Sequence, residues 1–196
     1  MTSPPHQKAP RILLHSCCAP CTIYPLDRLR SEGIVVTGFF RNPNIHPFSE
    51  FEKRLLAVSD YYLAEGHELI VDAAYDVSAF IEAVFRWGVR RCETCWRIRL
   101  RAAAEKAAEI GADAVTTTLL YSIYQDHDAV AGIGREEARD AGVGFHYEDF
   151  RVGWSEGQRR ARAFSIYRQK YCGCIFSEEE RYRKKIAALM DQKRRA

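Results

Sequence analysis

The sequence predicts an α/β fold built on a single doubly wound, mostly parallel sheet of about five strands, with a basic helical C-terminal region. Two observations predict it. Short apolar runs rich in β-branched residues alternate with helix-patterned segments, and glycines punctuate the ends of those helices. At 196 residues the chain fits one domain and can bury a core without crosslinks. The expected organisation is a flexible leader over 1–10, one α/β domain over 11–190 and a basic tail over 191–196.

Arg11 to Ser16 (RILLHS) reads as a buried strand that ends on a cysteine cluster. Thr22 to Glu32 follows as a helix closed by Gly33, and Ile34 to Phe40 (IVVTGFF) as a second strand. A loop with Asn42, Pro43 and Pro47 leads to Ser49 and Glu52, which have capping-box spacing. Phe51, Leu55, Val58 and Tyr62 then share a helical face. His67 to Ala73 is the third expected strand and Val77 to Trp87 a helix. The Cys92/Cys95 pair opens a longer helix with Leu100, Ala103, Ala107 and Ile110 inward, ended by Gly111. Asp113 to Leu120 is the fourth expected strand, Asp128 to Asp140 a helix, and Gly144 to Phe150 the fifth strand. The remainder is helical and basic, interrupted by YCGC. In such folds ligands bind beyond the carboxyl ends of the strands, where the strand order reverses.

Composition narrows the class. The first ten residues lack the apolar core of a signal peptide, and no run approaches a membrane span, which points to a cytoplasmic protein without a membrane partner. Residues 151–196 carry 13 Lys and Arg against 5 Asp and Glu, a net of +8, whereas residues 1–150 carry 16 against 21, a net of −5. A basic C-terminal quarter points to a polyanionic partner. Arg159, Arg160, Arg162, Arg168 and Lys170 are the candidate phosphate contacts, with Tyr167 or Trp154 available for stacking.

The seven cysteines fall in three groups: Cys17, Cys18 and Cys21; Cys92 and Cys95; Cys172 and Cys174. In a reducing compartment such grouping means metal binding or redox chemistry more often than structural disulfides. Cys18-Ala-Pro-Cys21 and Cys92-Glu-Thr-Cys95 are two CxxC units suited to a four-thiolate site. Structural zinc fits that pattern too, but it leaves Cys17 over. Thioredoxin-like chemistry fits CAPC between a strand and a helix, but not the second CxxC. Cys172-Gly-Cys174 can close only a small strained ring, the labile kind of disulfide, or supply two further ligands.

HSCCAPC, RCETCWRIRL, TTTLLYSIYQDHDAV and YRQKYCGCIFS occur in that order, and together they resemble the QueH-type, cobalamin-independent epoxyqueuosine reductases over roughly residues 11–185. The resemblance implies a fold similar to PP-loop/HUP-type nucleotide hydrolases, here without a phosphate-cradling glycine loop, so no ATP chemistry is expected. It implies reduction of the epoxide of epoxyqueuosine to queuosine at the tRNA wobble position, with an unidentified electron donor. It assigns a [4Fe-4S] cluster to Cys17, Cys18, Cys92 and Cys95, and a redox-active disulfide to Cys172 and Cys174. Spacing alone favours Cys18 with Cys21, so Cys17 and Cys21 compete for one place. Cys21 is also the candidate ligand of an additional mononuclear iron. Candidate proton donors near the strand ends are His15, Tyr121, Tyr124, Asp126 and His127. The contrasting expectation is a zinc-bearing RNA-binding or interaction module with structural cysteines.

Overall fold

The computed structural model describes residues 9–86 and 90–195. Trp87, where one expected helix ends, lies outside the described residues, as do residues 1–8 of the expected leader and the last residue of the expected tail.

The strands are β1 (Arg11–His15), β2 (Val35–Phe40), β3 (Leu69–Val71), β4 (Ala114–Thr117) and β5 (Gly144–Phe145). The helices are α1 (Ala19–Ser31), α2 (Phe48–Ala64), α3 (Val77–Phe85), α4 (Arg91–Glu109), α5 (His127–Asp140), α6 (Trp154–Ala163) and α7 (Ile175–Arg195). All the strands are parallel, in the order β3-β2-β1-β4-β5, which makes β1 the centre of the sheet. No described helix is long and apolar enough to cross a membrane.

The sheet is covered on both faces, as its apolar central strand requires. Ile12 and Leu14 of β1 point into a core with Leu26 of α1 and Phe51 and Val58 of α2. Leu13, one residue out of phase, packs with Ala103, Ala104 and Ala107 of α4 and Ala138 of α5. The alanine stripe lets α4 lie close to the strands, and this sets how near its first turn comes to the sheet end. Gly38 of β2 also permits a close approach, since a Cβ there would meet the Tyr62 ring at 2.4 Å. The space allows the Tyr62 hydroxyl to reach Ser16 Oγ at 2.8 Å, just ahead of the first cysteines.

Several expected boundaries move for physical reasons. Helix α2 starts after Pro47 with no side-chain cap, so the Ser49/Glu52 box does not form. Glu50 turns inward instead, drawn by Arg54 and Tyr167. The fourth strand stops at Thr117, because Thr117 Oγ1 accepts the Leu119 N–H (3.1 Å) and starts a 3-10 turn over Thr118–Tyr121. Outer strands β3 and β5 are shorter than expected, and residues 150–153 form a second 3-10 turn. Gly33 and Gly111 end α1 and α4 at positive φ, as their positions predict.

Candidate functional site

The sheet order reverses between β1 and β4, and the loops leaving these two strands are tied together. Cys17 N–H donates to Thr118 Oγ1 (3.1 Å), while Ser16 N–H anchors the same loop to β2 through the Phe39 carbonyl (2.8 Å). Cys18 is the extended N-cap of α1 (φ −173°, ψ 160°), so the chain turns sharply between the neighbouring cysteines. With the helix beginning at Ala19, Cys21 falls in its first turn and its sulfur comes back over the N-terminus. The sulfurs of Cys17, Cys18 and Cys21 all lie within 4.8 Å of one another, with Cys17 to Cys18 at 3.7 Å. Metal–thiolate bonds of about 2.3 Å in a tetrahedron separate sulfurs by about 3.8 Å, so this trio has the spacing of ligands to one metal atom. The sulfurs of Cys17 and Cys21 thus both lie beside that of Cys18.

Cys92 and Cys95 occupy the first turn of α4 and do not join that trio. Burial raises both thiols, and the charges of Cys172 and Cys174 add to it. Gln125 Nε2 lies 3.5 Å from Cys172 Sγ, and Gln169 Nε2 lies 3.7 Å from Cys21 Sγ. All seven cysteines are free thiols.

One turn beyond Cys95, on the same face of α4, Arg99 is 1% exposed. Its Nη2 donates to Asn42 Oδ1 (2.8 Å), its Nε has no partner, and among the described residues no carboxylate pairs with it. An isolated buried cation costs several kcal/mol, and what surrounds this one is sulfur. Hydrogen bonds from the thiols of Cys18 and Cys21 hold Cys17 well below the usual thiol range, with Arg99 and Thr118 adding to the effect. Burial pushes Cys18 up, and the bond given to Cys17 pushes Cys21 up. Burial also raises Cys95, to about 12, against the opposing charge of Arg99. The first negative charge of the trio thus belongs on Cys17. The donor set, with an unmatched guanidinium beside it, fits an anionic metal–thiolate group. Replacing Arg99 with Met is expected to raise the melting temperature of the metal-free protein and shrink the gain on metal loading. Calorimetry of both forms checks this, and a metal-free R99M protein that melts lower sinks it.

The YCGC turn is fixed from below. Buried Arg54 donates from Nη1 to the Cys172 carbonyl (2.8 Å) and from Nη2 to the Tyr171 carbonyl (2.9 Å). Gly173 has φ +144°, and a Cβ there would sit 3.0 Å from Asn44 Nδ2 and 3.3 Å from Arg54 Nη1. Its carbonyl accepts the His46 N–H at 2.8 Å. Only glycine fits this backbone at such close approach.

A cavity of about 650 Å³ opens over these groups; Cys17, Cys21 and Cys172 reach its wall, and Tyr124 and Trp154 stand at its side. Of the expected proton donors only Tyr124 lines it. His15 is buried between Thr117 Oγ1 (2.8 Å) and the Arg41 carbonyl (3.3 Å), and burial, followed by the charge of Arg99, lowers its pKa to about 3. Tyr121 donates to the Trp154 carbonyl, Asp126 caps α5, and His127 faces Tyr147. Among the expected phosphate contacts, Arg168 and Lys170 line the cavity, Arg159 and Arg162 are exposed on α6, and Arg160 is paired with Asp27. The Tyr167 hydroxyl donates to Glu50. Sequence reasoning missed Arg54, Arg99, Gln125 and Gln169. Arg99 alone had a signal, standing seven residues after Cys92 and four after Cys95 on one helical face.

The profile of the family described as Epoxyqueuosine reductase QueH matches residues 12–180. The chain belongs to this family. The QueH match runs from β1 into α7 and includes all seven cysteines. An Epoxyqueuosine reductase QueH of Dehalococcoides mccartyi is 36% identical over 176 residues, covering 90% of this chain and 97% of that protein. The QueH of Thermotoga maritima is 33% identical, covering 88% of this chain and 93% of its own length. That of Streptococcus pyogenes is 29% identical, covering 86% and 70%.

Proposed function

We propose that this chain reduces epoxyqueuosine to queuosine at the wobble position of tRNA. The observation that carries the reading is the convergence of Cys17, Cys18 and Cys21 at the switch point of the sheet, with Cys172 on the wall of the same cavity. Membership of the QueH family supports it. We assign a [4Fe-4S] cluster to Cys17, Cys18, Cys92 and Cys95, and an additional mononuclear iron to a site that includes Cys21. The domain spans 11–190, its fold is of the PP-loop/HUP type, and it works in the cytoplasm, where thiols stay reduced.

Removing the epoxide oxygen takes two electrons and two protons, and yields an alkene and water. The dithiol of Cys172 and Cys174 supplies both: two S–H bonds break, one S–S bond forms, and the carbon–oxygen bonds of the epoxide give way to the double bond. The iron centre, when bound, passes electrons singly and offers a Lewis-acidic position for an oxygen atom. The protein's own contribution is positional. Arg54 and the Gly173 backbone hold the dithiol turn, Gln125 aligns Cys172, and Arg99 balances thiolate charge.

Anaerobic turnover of tRNA carrying epoxyqueuosine tests the reading. A brown protein that forms queuosine is the expected result; a colourless protein holding zinc and forming none overturns it. In a Cys174→Ser protein the cluster absorbance should remain while multiple turnover is lost. Loss of the cluster there would move Cys174 to the metal site, and full activity would remove it from the reaction.

A further inference from the structure

Four cations, Arg99, Arg168, Lys170 and Arg181, line the cavity, and among the described residues no carboxylate does. Arg168 is bonded only to the neutral Gln158 amide, and within the same described residues Lys170 and Arg181 have no acidic partner. Such a lining accepts an anion-bearing ligand. At the mouth stands Tyr124, 80% exposed although large and aromatic. Its ring meets Trp154 edge-on, with centroids 5.6 Å apart at 84°, and Trp154 lies against buried Tyr121 at 5.0 Å.

The exposed ring is held in place by its neighbours in the chain. Tyr124 N–H donates to Ser122 Oγ (3.3 Å). Gln125 is fixed by the Trp96 indole (2.8 Å) and approaches Cys172. Asp126 then caps α5. An aromatic face preset on a short pinned loop loses little freedom on binding.

We propose that Tyr124, braced by Trp154, is the stacking platform for the wobble nucleobase turned out of the anticodon loop, and that Arg168, Lys170 and Arg181 hold the flanking phosphates. This deepens the tRNA reading above and rests on it. A cavity of about 650 Å³ is within the range that small ligands occupy, and it has room for a nucleoside and not for a stacked loop. A base attached to its cyclopentane epoxide must leave the stack to bring the epoxide to sulfurs on the cavity wall. The free face of Tyr124 receives the base on the way in, and the carboxylate-free rim takes the backbone on either side.

The test compares the unmodified enzyme with Tyr124→Ala and Tyr124→Phe, using an anticodon stem–loop RNA that carries epoxyqueuosine. Loss of one stacked base weakens binding roughly ten- to a hundredfold. Tyr124→Ala should therefore raise Kd and KM by that factor with kcat and cluster absorbance little changed, and Tyr124→Phe should restore both constants. Tyr124→Ala within twofold of the parent, or Tyr124→Phe as weak as Tyr124→Ala, overturns the platform. An unmodified enzyme that binds the RNA with this dependence on Tyr124 but never reduces it overturns the reductase reading and keeps the platform.

Discussion

A Cys17→Ala protein is expected to leave anaerobic purification without iron–sulfur absorbance and with a melting temperature close to that of the metal-free parent. Cys17 is where the thiols of Cys18 and Cys21, the Thr118 hydroxyl and the Arg99 charge converge. Without it, burial still holds the Cys18 thiol protonated, and Arg99 loses the thiolate whose charge it favours. Because metal binding free energy is also folding free energy, the fold loses what the centre contributed. Cys92→Ala should do the same if, as proposed above, Cys92 is a cluster ligand from a segment distant in sequence. Cys21→Ser should differ, keeping the cluster absorbance while losing additional iron and turnover. Iron analysis with visible spectra separates the three. A Cys17→Ala protein with full iron and full absorbance would falsify the assignment.

Arg54→Leu is expected to cost about 3–5 kcal/mol of stability, because it removes one member of a buried ion pair and leaves the other. Arg54 is 1% exposed, and its Nε donates to Glu50 Oε1 at 2.7 Å. Three groups lose the guanidinium at once, the carbonyls of Tyr171 and Cys172 and the Glu50 carboxylate, which keeps only the Tyr167 hydroxyl. Lysine does not substitute, because a single ammonium cannot serve three acceptors in the directions a guanidinium fork reaches. The loss should appear in urea unfolding, with earlier proteolysis near 170–174 in the native protein. Adding Glu50→Gln should recover part of the stability by removing the stranded charge. A cost below about 1 kcal/mol would show that water replaces the guanidinium.

The order of strands and helices was legible because hydrophobic period and glycine stops are local signals. RILLH could be read as buried on both faces, and Gly33 and Gly111 closed their helices where expected. The ends were less legible where a side chain competes with the backbone. Thr117 breaks its strand by bonding the Leu119 N–H, and Pro47 displaces a capping box that looks sound in sequence. The three cysteine groups were plain in sequence, and so was the place of the first of them beyond β1. Whether Cys17 or Cys21 belonged with Cys18 was not, because it depends on α1 starting at Ala19, where a proline follows at once. Arg54 and Arg99 were hidden for another reason. An arginine within an amphipathic helix ordinarily faces water, and only the tertiary fold turns these two toward carbonyls and sulfur.

The histidine at the end of the central strand makes proton uptake a property of the whole sheet. An unfolded chain protonates His15 below about pH 6.5, whereas the folded chain refuses that proton until about pH 3, so in between the unfolded state binds more protons. Stability therefore falls with falling pH across this window, with a limiting slope of about 1.4 kcal/mol per pH unit. Melting temperature against pH should decline from mild acidity downward, and His15→Gln should flatten the decline. The group that couples acid to unfolding is thus the imidazole held by Thr117 and the Arg41 carbonyl, two residues before Cys17. The acid limit of the whole fold is thereby written at the same strand end that carries the first cysteines.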